Sequence, residues 1–327
     1  AYNDDAYGGD LDATSTVSHP GSWFGINIDT TNNDSIFDHT IFRYGGKYYT
    51  SGDYSRANLG IKNSSVNISN STFESSFVYG IKLNNSNSNV SYNVIKNNND
   101  SGIYILIGSP TILNNTIEQN NRGTYISAPL AVVDSNIFNS NTNEAIYSVN
   151  SPGSFNNNSG LNNGTNGILL DAGWAGLVSL NSTTTLKANP LPYVLKSAQN
   201  VTASSTLVIE PGVTLKGSGG FFGGQLNVYG NLLVQGNNVG DVVFTSDLTS
   251  PNPGDWQGLR MYSGSYSNIK GATISYAEKG IVYENSPVNL ENVRFESNKI
   301  AIQANTDSLL DGFISSTIEF LNNLTNF

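Results

Sequence analysis

The chain has 327 residues, no cysteine and a formal net charge of -10 at pH 7. Only 12% of the residues are charged, and the 15 lysines and arginines do not cluster. This composition excludes a disulfide framework and argues against nucleic acid or an anionic membrane as a partner. No stretch approaches 18 apolar residues, so we expect no membrane insertion. A polar rather than ionic surface is typical of a secreted or cell-surface protein.

An acidic segment opens the chain. Its four carboxylates fall within nine residues around a Gly-Gly pair, and they belong to Asp4, Asp5, Asp10 and Asp12. Calcium needs several oxygen ligands from a loop that can fold back on itself, so we expect these residues to bind calcium. A solvated acidic loop without a metal is the alternative. Residues 246–255, at the equivalent place further along, are poorer in carboxylates, so not every repeat would need the metal.

A tryptophan turn follows and occurs twice. Pro20–Ile26 matches Pro253–Leu259 at an offset of 233 residues, which indicates one whole unit and part of a second. Trp23 and Trp256 occupy equivalent positions, so we expect a packing role for both.

The first copy carries a predicted insertion of 13 residues at about 47–58 that is rich in tyrosine. Aromatic rings beside a few polar groups suit sugar rings or a protein surface. The candidate ligand-binding residues are Tyr48, Tyr49, Tyr54 and Arg56. Packing of this loop on the side of the fold is the alternative.

A ladder of small residues then repeats every 20 to 22 residues, at Gly60, Gly80, Gly102, Gly123, Ala145 and Gly167. Self-similarity at this period indicates a solenoid. Between the glycines, short β-branched segments alternate with Asn-rich corners, as in Val90–Ile95 and Ile112–Ile117. Such segments favour strands over helices. We therefore predict an all-β, right-handed parallel β-helix with about 21 residues per rung and a stacked Asn ladder at the corners.

Asn-X-Ser/Thr sequons are frequent, but a chain this rich in these residues contains many by chance. Asn67 alternates with inward-facing Val66 and Ile68, so we expect it to point outward, unlike Asn70 and Asn114 on the ladder. The candidate glycosylation sites are Asn33, Asn63, Asn67, Asn89, Asn181 and Asn200.

The rung pattern fails after Asp171, which predicts a domain boundary near 180 to 190. We divide the chain into a first β-helix unit at 1–180, a linker at 181–200 and the start of a second unit at 201–327. The second unit contains four characteristic segments in succession, at Thr206–Leu215, Gln225–Gly236, Val242–Ser246 and Pro253–Trp256.

This succession resembles the opening of the right-handed β-helix regions of large secreted or cell-surface proteins, including pectate-lyase-like and adhesin-type repeat proteins. The resemblance covers essentially the whole chain. It implies the fold, whereas its members range from polysaccharide lyases and hydrolases to stalks, adhesins and polymer coats.

Enzymes of this kind use clustered acids with basic partners. Asn305-Thr-Asp307 matches a triplet of polygalacturonase-like hydrolases, but the companion motifs are missing from the sequence, and His39 reads as a rung residue. We therefore expect no catalytic residues.

The sequence predicts an extracellular structural or adhesive scaffold, a segment of a tandem array or of an end-to-end filament. The expected partners are copies of itself or further repeats, because neither end shows a cap, and also surface glycans. The alternatives are a polysaccharide-active enzyme of the pectate-lyase type and a carbohydrate-binding β-helix without turnover.

Overall fold

The computed structural model describes residues 17–31, 35–47, 56–149, 152–171, 176–178, 181–219, 223–304 and 313–327. The chain is an all-β parallel solenoid of about 11 turns with about 22 residues per turn, which confirms the predicted fold class. Within the described ranges, no helix is long and apolar enough to cross a membrane. The chain divides into two compact units, unit 1 (residues 1–147 and 157–166) and unit 2 (residues 148–156 and 167–327).

Unit 1 is built from short strands, three to each regular turn. In chain order they are β1 (Ile26–Asp29), β2 (Ile36–Asp38), β3 (Ile41–Arg43), β4 (Ala57–Lys62), β5 (Asn67–Ser69), β6 (Thr72–Glu74), β7 (Tyr79–Asn84), β8 (Asn89–Ser91), β9 (Val94–Lys96), β10 (Ser101–Ile105), β11 (Thr111–Leu113), β12 (Thr116–Glu118), β13 (Arg122–Ile126), β14 (Val132–Asp134), β15 (Ile137–Asn139), β16 (Glu144–Val149) and, after β17 (Ser154–Asn156) of unit 2, β18 (Ser159–Leu161). They form three parallel sheets in the orders β1-β4-β7-β10-β13-β16, β2-β5-β8-β11-β14 and β3-β6-β9-β12-β15-β18.

Unit 2 continues with strands of more varied length. They are β19 (Thr165–Asp171), β20 (Thr183–Leu186), β21 (Tyr193–Leu195), β22 (Gln199–Val201), β23 (Thr206–Ile209), β24 (Thr214–Gly217), β25 (Gln225–Val228), β26 (Asn231–Gln235), β27 (Val242–Ser246), β28 (Gly258–Met261), β29 (Tyr266–Ser275), β30 (Lys279–Tyr283), β31 (Val288–Glu296), β32 (Ile300–Ala304) and β33 (Phe313–Leu321). One sheet has the order β22-β25-β28-β30-β32. Two further runs of paired strands are β20-β23-β26 and β21-β24-β27. Strand β29 joins these two runs, because it pairs with both β26 and β27.

The core of unit 1 consists of apolar side chains stacked in register. Successive strands lie about 4.8 Å apart, so each inward side chain contacts its equivalent in the next turn. Ile68 pairs with Val90, which pairs with Ile112, and all three are buried. Phe42 and Phe73 pair in the third sheet with ring centroids 4.9 Å apart. The alternation of β-branched and polar residues within each strand places the apolar side chains on this inner face.

Two buried asparagine ladders run through unit 1. Asn93 donates from Nδ2 to Asn115 Oδ1 and to the Ile68 carbonyl, each at 3.0 Å, and its backbone N–H donates to the same Asn115 Oδ1 at 2.9 Å. The same pattern repeats from turn to turn. One ladder contains Asn93, Asn115, Asn136 and Asn158, and the other contains Asn98, Asn120, Asn141 and Asn163.

The residue before each ladder asparagine has a left-handed backbone. Tyr92 has φ 58° and Asn114 has φ 53°, and each precedes a buried ladder member. The expectation that Asn70 and Asn114 lie on the ladder is therefore wrong, because both are exposed residues with positive φ. The corner needs a left-handed residue and a buried amide, and adjacent residues supply them.

The glycine ladder is confirmed in part. Ile81 pairs with Leu59 in one neighbouring turn and with Ile103 in the other. The residues that precede these three therefore form one column, and they are Asn58, Gly80 and Gly102. Gly60 lies outside this column, because it pairs with Lys82 on the outer face. The interior leaves little room at this position: a Cβ on Gly123 would lie 2.2 Å from the Ala145 carbonyl oxygen. Asn58 fits in the first turn because its side chain accepts the Gly45 N–H and donates to the Glu74 carbonyl.

The two tryptophan turns share their local geometry. Trp23 Nε1 donates to the Arg43 carbonyl at 2.7 Å, and Trp256 Nε1 donates to the Ser275 carbonyl at 2.8 Å. Trp256 is fully buried, whereas Trp23 is only half-buried. The segment 181–200, for which the sequence predicts a linker, contains β20, β21 and the start of β22.

Candidate functional site

Several predicted site residues lie outside the described ranges. These are the calcium candidates Asp4, Asp5, Asp10 and Asp12, the ligand candidates Tyr48, Tyr49 and Tyr54, the sequon Asn33, and the Asn305–Asp307 triplet. Arg56 is described and half-buried, and its carbonyl accepts the Tyr79 N–H at 2.7 Å. No group of three or more histidine or acidic side chains in the described part of the chain could hold a metal ion.

The remaining sequons occupy corners and outer strand positions. Asn67 is exposed, as expected, and accepts a hydrogen bond from Asn89 Nδ2 at 3.0 Å. Asn63 donates to Asp29 Oδ1 at 2.8 Å and lines a polar cleft of about 620 Å³. Asn181 is exposed with φ 57°, whereas Asn200 is half-buried and accepts a hydrogen bond from Asn227. Glycosylation at these residues stays a prediction.

Asp38 is an exposed carboxylate whose pKa is strongly lowered. Hydrogen bonds from Asn70, Ser69 and His39 lower the pKa of the Asp38 carboxyl to about 2. His39 lies exposed beside it with φ 51° and Nδ1 2.8 Å from Asp38 Oδ2. The donors come from the same corner and from the next turn, so the arrangement satisfies an exposed carboxylate at a turn rather than poising an acid for catalysis.

The outer face of the first sheet of unit 1 carries a row of tyrosines. Tyr79, Tyr104 and Tyr125 stack nearly parallel, with centroids 4.4 Å and 4.6 Å apart, and Tyr147 lies 5.6 Å from Tyr125 at a tilt of 60°. These rings are half-buried. Tyr104 pairs in register with Tyr125, whereas its register partner in the preceding turn is Lys82, so Tyr79 reaches the row from a different strand position. Each ring covers one face of its neighbour, so the row fixes the side chains in place and leaves their exposed parts available for contact.

An ion pair flanks the end of this row. Arg122 Nε donates to Glu144 Oε2 at 2.8 Å, across two successive turns. The Arg122 guanidinium lies 4.5 Å from the Tyr147 ring centroid and 5.8 Å from that of Tyr125. We call Tyr125, Tyr147, Arg122 and Glu144 cluster 1. It joins aromatic surface to hydrogen-bond donors and acceptors held in one geometry.

Unit 2 contains a similar group on the outer face of the sheet that includes β25 and β28. Tyr229 and Tyr262 stack with centroids 4.2 Å apart at 14°. The Arg260 guanidinium lies 4.9 Å from the Tyr262 centroid, and its Nε donates to Glu284 Oε1 at 3.0 Å. We call these four residues cluster 2. Burial raises the pKa of Tyr262 to about 12, and its hydrogen bond with Tyr229 acts in the same direction.

Sequence reasoning missed both clusters, although one signal was present. Tyr104, Tyr125 and Tyr147 each lie two positions after a member of the glycine ladder. Side chains two positions apart in a strand point to the same face of the sheet. The arginine and glutamate lie 22 or more residues apart in sequence, and only the stacking of turns brings them together.

A family model described as "Right handed beta helix region" matches residues 57–249. No curated protein and no solved structure matches the chain. The matched segment covers more than half of the chain and includes the repeated strands and corners of both units. The parallel solenoid and this match lead to one conclusion: the chain belongs to the right-handed β-helix region family.

Proposed function

We propose that this chain is a structural scaffold within a secreted or cell-surface protein. The observation that supports it best is the pair of buried asparagine ladders in unit 1. Asn115 shows the point: its Oδ1 accepts from Asn93, and its two Nδ2 protons are donated to Val90 O and Asn136 Oδ1. The amide is fully used in holding three turns together.

This use of polar groups favours a mechanical role. Apart from the half-buried Asn163, the ladder asparagines connect neighbouring turns through buried, satisfied hydrogen bonds, which exchange with water only when the turns separate. The interior is filled by stacked apolar and amide side chains, so contacts with partners fall to the outer faces. A stiff repeat that presents its outer faces suits a stalk or an adhesive scaffold.

Unfolding kinetics test the scaffold function. We expect the wild-type chain to resist a nonspecific protease for far longer than an Asn115→Ala variant, because cleavage requires separation of turns. A globular protein of similar size serves as the reference. Rapid proteolysis of the folded wild-type chain, at the rate of that reference, would contradict a scaffold role.

The polysaccharide-active enzyme is the alternative function. The family includes both enzymes and non-enzymes. No group in the described residues combines perturbed acids, a basic partner and a cleft, so no observation favours this alternative. Release of oligosaccharides from pectin, alginate or xylan by the purified chain, abolished by a single acidic-residue variant, would replace the scaffold proposal.

Calcium and self-association remain part of the proposal. We propose that Asp4, Asp5, Asp10 and Asp12 bind calcium and that further repeats or copies of the chain are its partners. Negative-stain electron microscopy with and without a chelator tests both. Fibres that shorten on chelation support the two ideas together, and monodisperse particles in both conditions contradict self-association.

A further inference from the structure

We propose that clusters 1 and 2 are two separate binding sites for a neutral oligosaccharide, one in each unit. This inference does not depend on the scaffold function. It starts from the recurrence of one arrangement: two neighbouring tyrosines, an arginine over one ring, and a glutamate that fixes the arginine from another turn.

Copying of a repeat does not explain the recurrence. Arg122 precedes Tyr125 by three positions, whereas Arg260 precedes Tyr262 by two. Arg122 heads β13 in register with Ser101, whereas Arg260 lies inside β28 in register with Asn227 and Val282. The same four residue types therefore meet from different strand positions, and the solenoid alone does not require that.

The chemistry of the clusters suits sugar hydroxyls. A guanidinium and a carboxylate side by side can bind the vicinal hydroxyls of a sugar, one as donor and the other as acceptor. Tyrosines add ring surface for C–H groups and hydroxyls for further hydrogen bonds at small entropic cost. Cluster 2 is the more accessible, since the side chains of Arg260 and Glu284 are 34% and 23% exposed, whereas those of Arg122 and Glu144 in cluster 1 are 24% and 12% exposed.

Charge favours a neutral sugar over an acidic one. Each arginine is already neutralised by its glutamate. The chain as a whole carries a net charge of -10, which repels an anionic polymer. Uronates or sulfated glycans would have to break the ion pair and approach against this field.

Cluster 2 also borders an unsatisfied buried acceptor. Asn227, the register partner of Arg260, is 7% exposed, and its Oδ1 has no hydrogen-bond partner, while its Nδ2 donates to Asn200 at 3.0 Å. An unpaired buried carbonyl is unfavourable, because it has lost its hydrogen bonds with water without replacing them. A ligand hydroxyl that reaches Asn227 beside Arg260 would relieve this cost.

The test is isothermal titration of the full chain with neutral hexasaccharides of glucose, mannose, galactose and N-acetylglucosamine. We expect one of these sugars to bind with a stoichiometry of two per chain. Tyr147→Ala and Tyr262→Ala should each reduce the stoichiometry to one, and the double variant should abolish binding. Exposed tyrosines outside the clusters give the matched controls Tyr92→Ala and Tyr266→Ala, which should retain both sites.

Arg122→Lys and Arg260→Lys provide variants that keep the charge and perturb packing less. Each lysine substitution removes the planar set of guanidinium N–H donors. It should weaken sugar binding at its own cluster by about tenfold and leave binding at the other cluster unchanged. Circular dichroism confirms that each variant is folded. A single site, lost in one tyrosine variant and unaffected by the other, would overturn the two-site proposal. No binding of any of the four sugars would overturn both sites while leaving the scaffold function standing.

Discussion

At the scale of single residues, adjacent asparagines have opposite tasks. Asn114 holds a left-handed backbone at the surface, and Asn115 holds a buried amide between three turns. Their sequence contexts are nearly identical, so composition and spacing do not separate them. What separates them is which side chain the corner turns inward, and that depends on the backbone of the whole turn.

This difference predicts unequal effects of mutation. Asn115→Ala removes the acceptor of the Asn93 N–H and the Nδ2 donor to the Val90 carbonyl, whereas Asn136 Oδ1 still accepts the backbone N–H of position 115. We expect a loss of about 3 kcal/mol in the free energy of unfolding. Asn114→Gly keeps the left-handed backbone and should change stability by less than about 0.5 kcal/mol. Equal losses in urea unfolding of the two variants would show that the ladder is not the stabilising feature.

Tyr193 predicts a change in stability at alkaline pH. Burial raises the pKa of Tyr193 to about 12 from its ordinary value of 10.0, and its hydroxyl donates to the Lys187 carbonyl at 3.0 Å. The unfolded chain therefore loses this proton first. The contribution is fully present below pH 10.0 and is lost as pH rises through about 12.

The measurement is the free energy of unfolding as a function of pH. Tyr193→Phe removes the titrating group and should flatten part of the decline between pH 10.0 and about 12, although Tyr262 titrates in the same window. A wild-type curve and a Tyr193→Phe curve that decline in parallel would count against a buried phenol as the cause.

At the scale of strands, charges on the outer face of the third sheet of unit 1 alternate along the stack. Arg43 pairs in register with Glu74, Glu74 with Lys96, and Lys96 with Glu118. The Lys96 Nζ to Glu74 Oε2 distance is 3.8 Å. Because side chains in register lie about 4.8 Å apart, Glu74 and Lys96 each have an opposite charge in both neighbouring turns. The sequences of β3, β6, β9 and β12 do not reveal this alternation of charge by themselves. It becomes visible only when the register between the strands is known.

Reversing one charge should destabilise the stack. Lys96→Glu places three carboxylates in successive turns, and we expect a loss of about 1–2 kcal/mol that shrinks with added salt. Lys96→Gln should lose about 0.5 kcal/mol and show little dependence on salt. Thermal unfolding at low and high salt distinguishes the variants, and a salt-independent loss in Lys96→Glu would refute the charge explanation.

At the scale of the whole molecule, the turn is the unit that can be added or removed. Each turn contacts its neighbours through the same columns, so stability is a sum over turns and their interfaces. Ser101 pairs with Arg122, and the turn between them supplies one member to each column of unit 1.

Deleting residues 101–121 should therefore leave a folded solenoid. The deletion joins Asp100 to Arg122 and aligns Asn98 with Asn141 and Asn93 with Asn136, which preserves both ladders. Deleting residues 101–110 removes β10 but keeps β11 and β12. The strands that follow would then be displaced into the wrong sheets, so this deletion should unfold unit 1. Circular dichroism and cooperative thermal unfolding compare the two. A full-turn deletion that is as disordered as the partial one would contradict independent turns.

The repeat period and the alternation of apolar residues determined the fold by themselves, because a solenoid repeats the same local requirements in every turn. They also indicated the buried position of Trp256 and the outward position of Asn67. Only the tertiary structure decided which asparagine is buried, that Asn58 rather than Gly60 lies in the glycine column, and that arginine and glutamate meet beside tyrosines in two clusters. Those outcomes depend on register between turns, and a shift of one residue moves a side chain from the core to the surface.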